Sequence, residues 1–247
     1  MSTTQGGGNI VADGLVLYLD SANTKSYVSG STVWNDLSRS ILNGTLTNGP
    51  TFNTGNGGSI VFDGTNNFIQ LGVTPKLQFT NSDPYSISSW VYWTPVGSNF
   101  NTLLCYGDVA GVAPAFGDEG YYLTLDNNVL RSQSFLFDYF DGVTFKGIQG
   151  NAGVVPINSW FNIVGTSTSN NANGLKIYIN GVLSSYTIRS LGPPASINYA
   201  NSVFNVGARD VTTFFNGRIA NTMVYNKELS STEVLQNYNV TKSRFGL

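Results

Sequence analysis

Apolar and polar residues alternate in short runs along this chain, with glycine, asparagine or aspartate between one run and the next. The pattern predicts strands at Leu15–Leu19, Ser59–Asp63, Phe68–Leu71, Tyr85–Trp93, Thr102–Tyr106, Tyr121–Leu125 and Val129–Phe137. It predicts further strands at Phe161–Thr166, Leu175–Ile179, Val182–Ile188, Val203–Val206 and Gly217–Tyr225. Within Tyr85–Trp93, Ile87, Val91 and Trp93 fall on one face, and Ser88, Trp90 and Tyr92 on the other, because successive strand side chains point to opposite sides. Leu175, Ile177 and Ile179 share a face opposite Lys176 and Tyr178. Asn180-Gly181 follows directly. Both residues tolerate the positive φ of a type I′ turn, so Val182 is expected to return antiparallel.

The pattern changes near the end. Asn216-Gly217 opens a strand with Ile219, Met223 and Tyr225 at alternating positions, followed by Ser230 with Glu233 three residues on. That spacing forms a capping box, and Leu229 and Val234 occupy the two positions of a hydrophobic staple. It is the only good helix start in the sequence. Many strands with regular turns and a single short C-terminal helix predict an all-β fold, an antiparallel two-sheet β-sandwich of jelly-roll type, rather than alternating strands and helices. Residues 1–9, with three successive glycines, read as a flexible N-terminal arm, and residues 10–247 as one jelly-roll domain.

Composition narrows the chemistry. The chain has 247 residues, of which 11% are charged, and a net charge of −2. That leaves no electrostatic case for nucleic acid or an anionic membrane. No run reaches the ~18–20 apolar residues of a membrane span. Histidine is absent, which removes imidazole ligands and every histidine-dependent triad. Cys105, the lone cysteine, sits in the apolar run Leu103-Leu104-Cys105-Tyr106 and reads as a buried thiol. Met1–Gly8 has neither a charged start nor an apolar segment, so synthesis in a cytoplasm is expected. The sequons Asn43-Gly44-Thr45 and Asn239-Val240-Thr241 then read as polar turns rather than glycan sites.

Taken in order, several motifs resemble the laminin-G-like, concanavalin A-like jelly-roll superfamily. They are Gly14-Leu15-Val16-Leu17-Tyr18-Leu19-Asp20, Trp34-Asn35-Asp36-Leu37-Ser38, Asn43-Gly44-Thr45-Leu46 and Ser59-Ile60-Val61-Phe62-Asp63-Gly64. Tyr85 to Val91, Trp160 to Thr166, Leu175 to Gly181, Asn205-Val206-Gly207 and the closing strand–helix block complete the set, which spans residues 14 to 239. The Leu17-Tyr18-Leu19-Asp20 opening and the terminal Arg244-Phe245-Gly246 are most similar to stand-alone modules of tailed-phage structural proteins. Relatives often carry paired acidic residues after the Phe-Asp-Gly motif and another in the closing strand, where they help hold a structural calcium. Here Asn66-Asn67 and Asn221 stand in those places. Amides weaken the charge attraction for a hard cation, so no metal or other cofactor is expected, and Asp63 reads as an Asp-Gly turn.

A search for catalytic residues ends empty. Glucanases on such sandwiches place two carboxylates on one strand, about 5.5 Å apart, which requires acidic residues at i and i+2 or i+4. Of the three glutamates, Glu228 and Glu233 belong to the terminal turn and cap, and Glu119 to the loop Gly117-Asp118-Glu119-Gly120. Asp138 and Asp141 flank Tyr139-Phe140 at odd spacing beside Gly142. Gly55-Asn56-Gly57-Gly58 precedes a strand, so it is no phosphate cradle. Phe135, Phe137 and Tyr139 would line one strand face, either as a platform for sugar rings or, the reading preferred, as core. The connection from Asp108 to Asp118 is a candidate recognition loop. No catalytic, cofactor-binding or metal residue is assigned.

The resemblance and the missing chemistry together imply a non-enzymatic structural or decoration protein of a virion. It would be made in the host cytoplasm and displayed on the particle surface, with other capsid or fibre proteins and its own copies as partners, and host glycans as possible contacts. The alternative is an extracellular lectin-like adhesion protein. A glycan hydrolase is the disfavoured third reading.

Overall fold

A computed structural model describes residues 9–79, 83–97, 100–107, 119–168, 174–190, 197–199, 202–209 and 213–247. The strands are β1 (Leu15–Asp20), β2 (Val33–Trp34), β3 (Gly44–Thr47), β4 (Thr51–Asn53), β5 (Ser59–Asp63) and β6 (Phe68–Gly72). They continue as β7 (Tyr85–Trp93), β8 (Phe100–Gly107), β9 (Gly120–Asp126), β10 (Ser134–Phe140), β11 (Phe145–Gly150) and β12 (Trp160–Ser167). The last are β13 (Leu175–Ile179), β14 (Val182–Leu183), β15 (Tyr186–Ser190), β16 (Val203–Val206) and β17 (Asn216–Tyr225), before helix α1 (Ser231–Thr241). Two antiparallel sheets result. One runs β14-β13-β12-β7-β17-β5-β4 with β1 also on β17, and the other β15-β11-β10-β9-β8-β16-β6-β3-β2. This is the predicted sandwich.

One large apolar core fills the space between the sheets. Phe62, Ile87, Val91 and Trp93 enter from the first sheet, and Tyr121, Leu123, Phe135, Phe137 and Tyr139 from the second. Rings pack in pairs at its centre, with Tyr85 and Tyr121 4.9 Å apart between centroids. The preferred reading of Phe135, Phe137 and Tyr139 as core therefore holds, since all three are fully buried. Cys105 is buried, as expected.

Asn180 and Gly181 both have positive φ, 51° and 77°, and β14 returns on β13 as expected of the type I′ turn. Ser230 accepts the amide proton of Glu233, whose side chain accepts in turn from the Ser230 backbone, which closes the capping box. Leu229 and Val234 pack together beneath α1.

Four expectations need correction. The expected strand Val129–Phe137 begins only at Ser134; Val129 and Leu130 are exposed turn residues whose apolar side chains mimic a strand start. The expected strand Val182–Ile188 is two strands, because the chain leaves the first sheet after Leu183 and joins β11 of the second from Tyr186. A bulge at Ala220 shifts the register of β17 between Ile219 and Asn221. Ile219 therefore faces the inner core while Met223 and Tyr225 face outward under α1. Trp90, expected from its mid-strand place in an apolar run to be buried within the sandwich, is fully buried but on the outer face of the first sheet.

The C-terminus covers that outer face. Phe245 stacks on Trp90 at 4.1 Å, and the Trp90 indole N–H donates to Thr241 Oγ1 at 2.8 Å. Arg244 reaches Asp20 at 2.7 Å and donates to the carbonyls of Asn56 and Gly58. The first and last motifs of the sequence thus meet in one contact. The outer face of the second sheet carries no α-helix among the described residues.

Phe62→Ala and Trp90→Ala should each cost about 3–5 kcal/mol in chemical denaturation, from loss of a buried ring and the cavity left behind. The Trp90 variant alone should also render residues 242–247 sensitive to carboxypeptidase. Unchanged stability in both variants would contradict the two-sided packing of this sheet.

Candidate functional site

Alternation in β9 and β10 places Tyr122, Thr124 and Asp126, and Leu136 and Asp138, on the outer face of the second sheet, because their neighbours in sequence fill the core. Asp138 lies opposite Tyr122 on one side and Gly147 of β11 on the other. Edge strand β15 brings Arg189 to the same face. Tyr122, Thr124, Leu136, Asp138 and Arg189, with Arg209, Phe145 and Phe100, surround a cleft of about 370 Å³. The Arg209 guanidinium lies over the rings of Tyr122 and Phe145, 5.8 and 5.7 Å from their centroids. Arg131 sits over Phe100 at 5.8 Å and pairs with Asp126 at 2.8 Å.

Asp138 is the chemically distinctive group. Its Oδ2 accepts from Arg189 Nη1, while its Oδ1 is buried without a hydrogen-bond partner. A Cβ on Gly147 would stand 2.3 Å from that Oδ1, so only glycine leaves the oxygen its room. Burial pushes the Asp138 carboxyl up to about 7, against the pull of Arg189, Arg209 and Arg131 toward lower values. Asp126 and Asp138 share the face but not a reaction geometry. Their ladder partners, Ser134 and Tyr122, place them four residues apart along the sheet. At ~3.4 Å per residue that is about 14 Å, beyond the spacing of either class of glycosidase.

The remaining acidic candidates have structural duties. Asp141 Oδ1 accepts from the amides of Val143 and Thr144 and its Oδ2 from Lys146. Burial raises its carboxyl, but these bonds outweigh it and hold the group well below the usual range. Glu119 accepts from the Asn198 amide, and Glu228 pairs with Lys176 at 2.7 Å. Asp63 Oδ1 accepts from the amides of Thr65, Asn66 and Asn67 at 2.9–3.2 Å, the turn expected of it. Asp63 pairs with Asn216 on β17, so Asn221 lies five residues away along that strand, roughly 15 Å. These two positions do not converge on one ion, and no cluster of metal-ligating side chains occurs among the described residues. The candidate loop from Asp108 to Asp118 and the arm up to Gly8 lie outside the described residues.

Sequence reasoning named Asp138 but placed it near a turn, and it passed over Tyr122, Phe145, Arg189 and Arg209. The available signal was the alternation of β10 itself: if Phe135, Phe137 and Tyr139 are core, Asp138 must face outward mid-strand.

Comparisons with known proteins agree with this architecture. The family model for laminin-G-like domains, described as the concanavalin A-like lectin/glucanases superfamily, matches residues 63–235. Among solved structures, the binding domain of botulinum neurotoxin serotype G superposes with a TM-score of 0.63 at 19% identity, covering 93% of this chain and 51% of that one. Domain 4 of a GH43 extracellular arabinanase from Geobacillus stearothermophilus, in complex with arabinotriose, gives 0.63 at 17% identity over 92% and 100%. Trypanosoma rangeli sialidase in complex with an inhibitor gives 0.64 at 15% identity over 96% of this chain and 34% of the sialidase. At these identities the likeness concerns fold. The chain spans about half of the neurotoxin domain and a third of the sialidase. No curated protein sequence matches the chain.

Two outcomes test the site. A carboxyl held above its unfolded value of ~3.9 stabilises the fold fully below about pH 4 and loses that contribution as pH rises through about 7. Wild type should therefore lose stability relative to Asp138→Asn between pH 4 and 7, and parallel profiles would show that the carboxyl is not perturbed. Separately, melting with and without a chelator should differ by far less than the ~2.7 kcal/mol given by a site saturated a hundredfold. A large drop would restore calcium to the Asp63 loop.

Proposed function

The chain belongs to the concanavalin A-like lectin/glucanases superfamily, and on that premise we propose that it is a non-catalytic glycan-recognition module. The observation that carries this reading is the cleft on the uncapped face of the second sheet. Aromatic and aliphatic walls there surround a carboxylate and guanidinium groups, the mixture that sugar rings require, with apolar faces to stack and polar groups to orient. No pair of carboxylates stands at glycosidase separation among the described residues that line it, which argues for binding without hydrolysis.

The finer reading is display on a virion surface as a structural or decoration protein, with copies of the chain and other particle proteins as neighbours. Its support is the resemblance of the Leu17–Asp20 opening and the Arg244–Gly246 end to tailed-phage modules, two segments that meet in the contact of Asp20 with Arg244. Many copies on a particle would let weak single-site sugar contacts add up to firm attachment.

The full chain on a glycan array should bind a defined subset of oligosaccharides with no release of reducing ends on prolonged incubation. Binding to no glycan would refute recognition, and release of sugar would refute the non-catalytic assignment. Co-sedimentation with particles tests the display reading independently.

A further inference from the structure

Oδ1 of Asp138 is an acceptor buried at the cleft floor with no donor, and each class of ligand meets it differently. An anionic ligand would bring a second negative charge against this carboxylate, and two carboxylates in contact cannot both stay ionised. A cationic ligand would face the guanidinium groups of Arg189 and Arg209, with Arg131 close by. A hydroxyl donor satisfies the oxygen without either penalty. Arg189, which spends one N–H on Asp138 Oδ2, keeps others of its five donors for a neighbouring oxygen.

We propose that this cleft takes a neutral sugar through a vicinal diol, one hydroxyl donating to Asp138 Oδ1 and the adjacent one accepting from Arg189. The apolar face of the ring lies against Phe145, the half-buried ring of the cleft wall. Gly147 is the residue that gives Asp138 Oδ1 its place, since a Cβ there would collide with that oxygen and with the Phe137 carbonyl. The carboxylate is the better acceptor, so affinity falls as Asp138 gains its proton below about pH 7. This inference rests on the glycan-recognition reading and names the ligand class of the same site.

Calorimetric titration of the full chain uses arabinotriose, cellotriose and mannotriose as neutral probes and trigalacturonate as the anionic one. At least one neutral trisaccharide should bind and trigalacturonate should not. Asp138→Asn should weaken the neutral sugar by about 10-fold or more, the loss expected when a hydrogen bond to a charged group is removed. That variant should also abolish the fall in affinity from pH 8 to 6. Phe145→Ala, at a half-buried position on the cleft wall, gives a second reading should the Asn variant fold poorly, and should weaken binding as well. Unchanged affinity in the variants, or trigalacturonate binding as tightly as the neutral sugars, overturns the diol proposal while leaving glycan recognition in place. Wild-type protein that binds none of the four sugars overturns the proposal, and an array equally empty overturns the broader reading with it.

Discussion

The ion pair between Asp138 and Arg189 is the contact on which the cleft depends. It joins a mid-sheet strand to the edge strand of the same sheet, and the chain reaches that edge only by leaving the first sheet after Leu183 and crossing to the second. A charge buried at mid-strand is costly unless paired. Here one oxygen is paired and the other is not, so the cost is only partly offset, and the carboxyl keeps its proton to about pH 7. A group held this way is poised for a donor from outside.

The two outer faces of the sandwich solve opposite problems. The first sheet buries Trp90, Met223 and Tyr225 beneath α1 and the C-terminal turn, and so needs the capping box, the staple and the Arg244 contacts to hold that cover in place. The second sheet carries a more polar outer surface, with Thr124, Asp126 and Asp138 among aromatic rings, and no helix among the described residues covers it. Capping one face and leaving the other to the arginines makes the two outer sides of the sandwich chemically different.

Much of this was legible in the sequence because period-two alternation and turn chemistry are local. Tyr85–Trp93, the Asn180-Gly181 hairpin and the Ser230–Glu233 cap all depend on neighbours within a few residues. The failures share a cause. Whether Val182–Ile188 stays in one sheet, and whether Ala220 is squeezed out of register, is decided by strands elsewhere in the chain. Short strands such as Val33–Trp34 and Thr51–Asn53 are set by their partners and not by their own pattern. The cleft is less legible still, because Asp138, Arg189 and Arg209 come together only through the order β15-β11-β10-β9-β8-β16, which no spacing in the sequence encodes.

The most direct measurement of the central claim is a crystal structure of the full chain soaked with the tightest-binding neutral oligosaccharide. The account predicts a sugar hydroxyl about 2.5–3.0 Å from Asp138 Oδ1, with its ring against Phe145. A sugar seated instead on the partly exposed Trp160 and Tyr92 of the capped sheet, or in the Asp63 loop, with the Asp138 cleft empty, would contradict it.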